Sequence, residues 1–544
     1  MKYLPWLRRA AALAVLAAIA PLFLAESGLA IWLAIAQPVT WPQFTPSLIK
    51  FCQQPAVASG GWLAVIVLTF FCGRIYCSAL CPLGIVQDGI SRLSRRKRRR
   101  FSLPQNFWRY GILTFTIITF AIGGGLTLRL LDPFSAFGRI MNQLCRPIIL
   151  ALRWLAAKCF EYFDIYLVAA PAWPAPELFS FVVALLTLAL VAWLAARHGR
   201  LYCNSICPVG TLLAICGRRA FFRPNFHAPA CTACRRCEAA CKANCLDARG
   251  GQVDMSRCVV CFNCLAACPE GALRWSLVYS KADGGGEVHP PENVRESSPQ
   301  PASRTASRSA RRALLGGIGA ALAALLVGSK RIQAAPDMAR AIVHPEKPTT
   351  IPEKRSCPVS PPGSLGIAHF TAACTACQLC VAVCPGRVLS PSLFEFGVGS
   401  MMQPRLDFSS GYCTFECVNC LDACPAGAIV SRPLAEKKRI QIGVAQFIKD
   451  NCVVHTEGTA CGACSEHCPT KAVDMVPYPH PVKNNLKIPE IKAEYCLGCG
   501  ACEHACPTRP YRAIFVDGNP IHKQAKKPDF KPLAAPLDDG GFPF

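Results

Sequence analysis

A chain of 544 residues has room for several domains. Its 35 cysteines exceed ordinary usage, and the chain is far too long for a secreted disulfide scaffold, which is a solution for short chains. The net charge of +25 comes with 52% hydrophobic residues and a mean hydropathy of +0.29, and its basic residues cluster beside apolar runs, which argues against nucleic acid and for a membrane protein with basic flanks.

The chain opens on a short basic stretch, Met1 to Arg9, and an apolar run from Ala10 to about Ala36. That run is long enough to span a bilayer and has no clear cleavage site, so it reads as an anchor. A second run, Gly61 to about Ile75, leads into Cys77 and Cys81. The block Ser91 to Arg100 then carries the strongest topology signal and is expected in the cytoplasm. A third span is expected from about Phe107 to Leu126. Pro147 to Ala170 contains Arg153, Lys158, Glu161 and Asp164, and reads as an interfacial amphipathic helix. The run from about Leu178 to Ala196 is a fourth span, ending at the basic flank Arg197 to Arg200.

The organisation expected is therefore a four-span membrane domain over 1–222, a cytoplasmic two-cluster ferredoxin domain over 223–278, and a Gly/Pro/Ser/Arg-rich linker over 279–308. Arg311 and Arg312 precede a short Gly/Ala-rich apolar stretch, so 309–335 resembles a twin-arginine export signal and is expected to be a fifth, anchoring span. A second cysteine-rich domain follows over 336–515, and 516–544 is expected to be a mostly disordered tail. The fold class is thus an α-helical membrane domain, with about four spans plus a fifth, carrying small α+β ferredoxin-like [4Fe-4S] domains.

The cysteines fall into runs of the form C-x2-C-x2-C-x3-C-P. Three closely spaced thiolates grip one cluster, and the fourth crosses to a neighbouring one. Structural zinc prefers two separated C-x2-C units, so the spacing favours iron–sulfur clusters. The first pair of runs is Cys231, Cys234, Cys237, Cys241 and Cys258, Cys261, Cys264, Cys268. Crossing assigns Cys268 to the first three and Cys241 to the second three. Lys242 replaces the usual proline after Cys241, and Cys245 is a rival ligand four residues on. The distal runs are Cys374, Cys377, Cys380, Cys384; Cys413, Cys417, Cys420, Cys424; Cys452, Cys461, Cys464, Cys468; and Cys496, Cys499, Cys502, Cys506. Adjacent and nested exchange of fourth cysteines both fit that spacing. The count implies six [4Fe-4S] clusters. Six sites of one kind make a wire, and no catalytic residue stands beside them.

Two further motifs close apolar spans: Cys77-Ser-Ala-Leu-Cys81-Pro-Leu-Gly and Cys203-Asn-Ser-Ile-Cys207-Pro-Val-Gly. Their likeness implies an internal repeat, at the cytoplasmic edge of the membrane. Thiols at i and i+4 share a helix face. Cys77, Cys81, Cys203 and Cys207 are thus candidates for a metal site, a redox dithiol or the wall of a quinone pocket. No C-x-x-C-H motif and no histidine pair within the spans point to haem, and no glycine-rich phosphate loop points to a nucleotide.

The first 275 residues resemble the NapH family in their four spans, their C-x3-C-P motifs ending at Pro82 and Pro208, and their ferredoxin pair. Residues 305–515 resemble the NapG/MauM ferredoxin-type proteins in their twin-arginine leader and four cluster runs, including Cys413-x3-Cys417. The whole looks like a fusion of the two. The resemblance implies a quinol dehydrogenase module of a bacterial inner membrane. It would take electrons from the membrane quinol pool, near Cys77, Cys81, Cys203 and Cys207, and pass them to a periplasmic reductase such as nitrate reductase, or to its small electron-transfer subunit. The distal ferredoxin domain would be periplasmic. C-x3-C-P motifs also occur in NosR-like proteins and in cytochrome oxidase accessory proteins, which makes a redox assembly factor the alternative.

Overall fold

The computed structural model describes residues 3–24, 30–94, 105–123, 125–165, 177–227, 230–277, 350–479 and 485–527. Four helices answer to the spans expected from the sequence: Leu4–Leu24, Gly61–Cys72, Asn106–Ala121 and Leu178–His198. A helix satisfies its backbone groups internally, which is what lipid demands of a spanning segment. Leu4–Leu24 and Leu178–His198, at 21 residues each, are long and apolar enough to cross a membrane, and Gly61–Cys72 is a shorter apolar helix. At ~1.5 Å per residue, the two long helices reach ~31 Å, a hydrocarbon-core thickness. Leu13, Val67, Ile117, Leu186 and Trp193 stay exposed along the four. An apolar belt of this kind marks a surface that something other than water covers.

Two expectations change here. The first apolar run is not a single anchor: Leu4–Leu24 is followed by a separate helix, Ala30–Thr40. The second helix serves a different contact, since Gln37 Nε2 donates to the Asp422 carbonyl at 2.7 Å in the distal cysteine-rich domain. The tail also starts later than composition implied. Ile514–Gln524 is a strand, paired antiparallel with Ile440–Phe447. Its Lys, Pro, Asp and Gly lie among Phe515 and Val516, which are buried in the domain, so burial decides where composition misleads. The segment read as an interfacial helix is a helix over Arg146–Tyr162, with Ile148, Leu152 and Leu155 exposed.

A small cysteine-rich domain sits at each end of the helices. The proximal one is closed by Phe222–Phe226 paired antiparallel with Leu273–Leu277. The distal one contains three antiparallel pairs: Leu389–Pro391 with Pro404–Leu406, Ile440–Phe447 with Ile514–Gln524, and Val473–Tyr478 with Leu486–Ile491. The first helix shows the arrangement directly. Its Leu4 end packs on the core of the proximal domain. Its Ile19–Phe23 end shares a core with Leu379, Ala382 and Val383 of the distal domain. Buried arginines fasten both ends. Arg109 Nη2 donates to the Ser256 carbonyl at 2.6 Å on the proximal side. Arg129 Nε donates to the Cys374 carbonyl at 2.9 Å on the distal side, and its other nitrogens reach the Thr371 and Gly399 carbonyls. The described residues of the proximal domain run to Leu277 and those of the distal domain begin at Thr350. The linker, the twin-arginine segment 309–335 and the basic block from 95 onward lie outside the described residues.

Candidate redox centres

The regular runs share a local conformation. In Cys231–Cys237, Cys258–Cys264, Cys374–Cys380 and Cys496–Cys502, both neighbours of the middle cysteine have left-handed φ: Ala233 and Arg235, Val260 and Phe262, Ala376 and Gln378, Gly498 and Gly500. Two left-handed residues curl the loop and turn successive N–H groups inward, which forms an anion-binding concavity. The runs with a lengthened first gap, Cys413–Cys420 and Cys452–Cys464, have no left-handed residue beside their middle cysteine.

Adjacent exchange is what the structure shows in the distal domain. Cys374, Cys377 and Cys380 lie within electrostatic reach of Cys424. Cys413, Cys417 and Cys420 surround a cavity with Cys384. Cys452, Cys461 and Cys464 surround another with Cys506. Cys496, Cys499 and Cys502 group with Cys468. Two of the cages adjoin. The Cys413 amide donates to the Cys499 carbonyl at 2.9 Å, joining the second and fourth runs.

The proximal thiols group in the crossed arrangement as well. Cys231, Cys234, Cys237 and Cys268 line one cavity. Cys241, Cys258, Cys261 and Cys264 line a second, together with Cys245. Cys245 Sγ lies 3.6 Å from Cys241 Sγ. Hydrogen bonding from Cys245 holds the Cys241 thiol down at about 6, against its burial, while Cys245 is pushed well up. Both thiols line the cavity of this second cage. Among the described residues, no set of three His, Cys, Asp or Glu side chains closes tightly enough to hold a single metal ion. Thiols spaced around a cavity fit a multi-iron cluster.

Cys77, Cys81, Cys203 and Cys207 come together. All four are buried, at 3–4% exposure, in one core that also contains Cys261 of the proximal domain and Cys377 of the distal domain. Their thiols lie within electrostatic reach of one another. The motifs are thus enclosed by protein on all sides. Each folds back into the protein as a short helical turn, Tyr76–Ala79 or Tyr202–Ile206, followed by a helix whose first residue is the motif proline. Such backbone is tolerated at depth because protein surrounds it. Cys81 and Cys207 are the N-caps of Pro82–Leu93 and Pro208–Gly217, and the Gly210 amide donates to Cys207 Sγ at 3.3 Å. The glycines of the motifs are sterically required. A Cβ on Gly84 would lie 2.3 Å from the Cys77 carbonyl oxygen, and one on Gly210 would lie 2.1 Å from that of Cys203.

Sequence reasoning missed two arginines here. Each repeat reads Gly-Arg-x-Tyr-Cys, as Gly73-Arg74-Ile75-Tyr76-Cys77 and Gly199-Arg200-Leu201-Tyr202-Cys203, a signal present in the sequence. Arg74 Nη2 donates to the Cys203 carbonyl at 3.0 Å, and Arg200 Nη1 donates to the Cys77 carbonyl at 2.7 Å. Each also stands 3.9 Å from the first thiol of its own repeat. The tyrosines face the distal side: Tyr76 donates to Gln43, and Tyr202 to the Leu131 carbonyl. Beside this site, Asp88 joins three buried cations, Arg8 at 2.9 Å, Arg200 at 2.7 Å and Lys242 at 3.1 Å. Burial alone would raise the Asp88 carboxyl, but Arg200, Lys242 and Arg8 hold it well below the usual carboxylate range.

A cavity of about 410 Å³ opens where the Leu178–His198 helix meets the distal domain. Leu178 and Phe181 form its apolar side, and Asn142, Arg146, Glu177 and Arg387 its polar side. Leu389 lines both this cavity and that of Cys384, Cys413, Cys417 and Cys420.

Comparison with known proteins agrees with the cysteine chemistry. A family model described as a 4Fe-4S binding domain matches residues 55–100 and 179–229, and a 4Fe-4S dicluster domain model matches 412–472 and 458–509. The chain is thus an iron–sulfur electron-transfer protein of ferredoxin type. Its relatives include the ferredoxin-type protein NapH of Escherichia coli, 26% identical over 44% of this chain and 76% of the relative. The methylamine utilization ferredoxin-type protein MauM of Methylorubrum extorquens is 29% identical over 25% of this chain, which spans 63% of that relative's length. An uncharacterised protein of Methanocaldococcus jannaschii is 24% identical over 39% of this chain and 69% of its own length. No solved structure matches.

Proposed function

We propose that this protein is a multi-pass electron conduit of a bacterial inner membrane, which oxidises membrane quinol and delivers the electrons to a soluble periplasmic reductase or its small electron-transfer subunit. The observation that carries this reading is the cavity at the distal mouth of the Leu178–His198 helix. It offers a membrane-borne carrier an apolar entrance at Leu178 and Phe181, with charged and amide groups inside. Leu389 lines both that cavity and the cavity of a thiol cage. Glu177, raised by burial, is placed to take a proton from the bound carrier. A cluster held in these cages supplies a one-electron couple, and the ordered cages give the electron a path outward. The NapH and MauM relatives support electron transfer as the activity. The basic flank at Arg197–Arg200 on the proximal side favours a cytoplasmic proximal domain and a periplasmic distal one.

The test is anaerobic mixing of the purified full chain with a quinol analogue, followed by visible and EPR spectroscopy. Cluster reduction by quinol is expected. Clusters that respond to dithionite but not to quinol would refute the reading.

A further inference from the structure

The proximal and distal cages stand at opposite ends of helices ~30 Å long, and tunnelling falls off exponentially with distance. Between them lie four cysteines that the six ferredoxin cages do not use. We infer that Cys77, Cys81, Cys203 and Cys207 together hold one further iron–sulfur cluster, shared between the two repeats, and that it connects the proximal domain to the distal one.

Three observations carry this. The four thiols are buried together and within reach of one another, from two segments related by an internal repeat. Soft thiolates in a four-fold set suit iron–sulfur clusters. The surroundings also call for an anion. Arg74 and Arg200 are fully buried beside the thiols. Arg200 shares its carboxylate, Asp88, with Arg8 and Lys242. Among the described residues, no carboxylate pairs with Arg74, whose acceptors are Asn204, the Ser256 and Cys203 carbonyls and, at 3.9 Å, Cys77 Sγ. Unbalanced buried cations are costly, and a tetrathiolate cluster, anionic in both redox states, supplies the missing charge. Finally, two helix N-termini face the site through Cys81 and Cys207, and the Gly210 amide points at a thiol sulfur. These are the devices that stabilise an anion and tune a cluster's potential.

The step is simple electron exchange. One electron enters from a flanking cage and one leaves to the other, with no bond made and no proton moved. Cys261 and Cys377, one from each flanking cage, share the hydrophobic core of the four thiols. The matching family model names iron–sulfur binding for each segment separately; the structure makes the two halves one site.

The test counts iron and acid-labile sulfide in the full chain, purified anaerobically, with Mössbauer spectroscopy as the second readout. Six cubane clusters account for about 24 iron atoms, so the wild type should exceed that by about two or four. The double variant Cys81→Ser/Cys207→Ser should lose that excess and its Mössbauer component while keeping the rest. A wild-type count at six clusters overturns the inference, as does a double variant that retains the wild-type count. Should the double variant fail to fold, the wild-type count decides alone. The count is independent of quinol. A full count without reduction by quinol leaves the site standing and removes only the quinol reading.

Discussion

Arg74 and Arg200 occupy equivalent places in two repeats, and each donates a hydrogen bond to the first cysteine carbonyl of the other, at 3.0 and 2.7 Å. The exchange locks the two C-x3-C-P turns together and sets two guanidinium charges beside four thiols. Replacing Arg74 with Gln removes one positive charge and should lower the reduction potential of the centre by roughly 60 mV, equivalent to about a tenfold change in a one-electron equilibrium. Redox titration followed by EPR measures it. An unchanged potential would show that Arg74 only packs.

The carbonyls of Cys77 and Cys203 leave no room for a methyl at Gly84 or Gly210. Backbone must move to admit one, at a cost of about 1–3 kcal/mol or more. Gly84→Ala and Gly210→Ala should each lower the thermal midpoint in detergent. An exposed control, Gly89→Ala, meets nothing within 4 Å and should not.

Asp88 neutralises Arg8, Arg200 and Lys242 at once, so Asp88→Asn leaves three buried cations without their carboxylate. Breaking a buried ion pair costs about 3–5 kcal/mol. The pH dependence follows from the lowered folded pKa. The stabilisation is complete above the unfolded carboxyl's pKa of about 4 and is lost only as pH falls through the lower, folded value. Between pH 8 and 5, this carboxyl should therefore contribute no change in unfolding midpoint, and the variant should be weaker throughout that range.

Adjacent exchange makes Cys374 and Cys424 ligands of one cluster, and Cys374 and Cys413 ligands of two. Cys374→Ala/Cys424→Ala should remove about four iron atoms per chain, and Cys374→Ala/Cys413→Ala about eight. Equal losses would contradict the pairing.

At the cavity, Glu177 must be ionised to accept a proton, and burial raises its carboxyl. Quinol-dependent reduction should quicken as pH rises through that pKa. Glu177→Gln should abolish the inflection and slow reduction roughly tenfold or more, while reduction by dithionite is unaffected.

The six ferredoxin runs were legible because three-plus-one spacing is local, and in the four regular runs the left-handed residues that curl the loop lie inside the run. Which fourth cysteine crosses to which cage was not legible. Cys424 joins Cys374 only through packing between runs, which spacing does not encode. The meeting of Cys77 and Cys81 with Cys203 and Cys207 is likewise tertiary, although Gly-Arg-x-Tyr before both motifs was there to be read. Composition misassigned the strand residues from Val516 to Gln524, since Lys523 and Pro520 look like tail residues until Val516 is seen to be buried. It also merged Leu4–Leu24 with Ala30–Thr40, which hydropathy alone does not separate.

The central claim is that one electron path joins the two faces through the four-thiol site. Proteoliposomes with uniformly oriented protein, treated from outside with membrane-impermeant dithionite, test it most directly. The account predicts that clusters of both domains bleach in the wild type, and that Cys81→Ser/Cys207→Ser confines bleaching to the exposed face. Complete bleaching in the variant, at the wild-type rate, would contradict it.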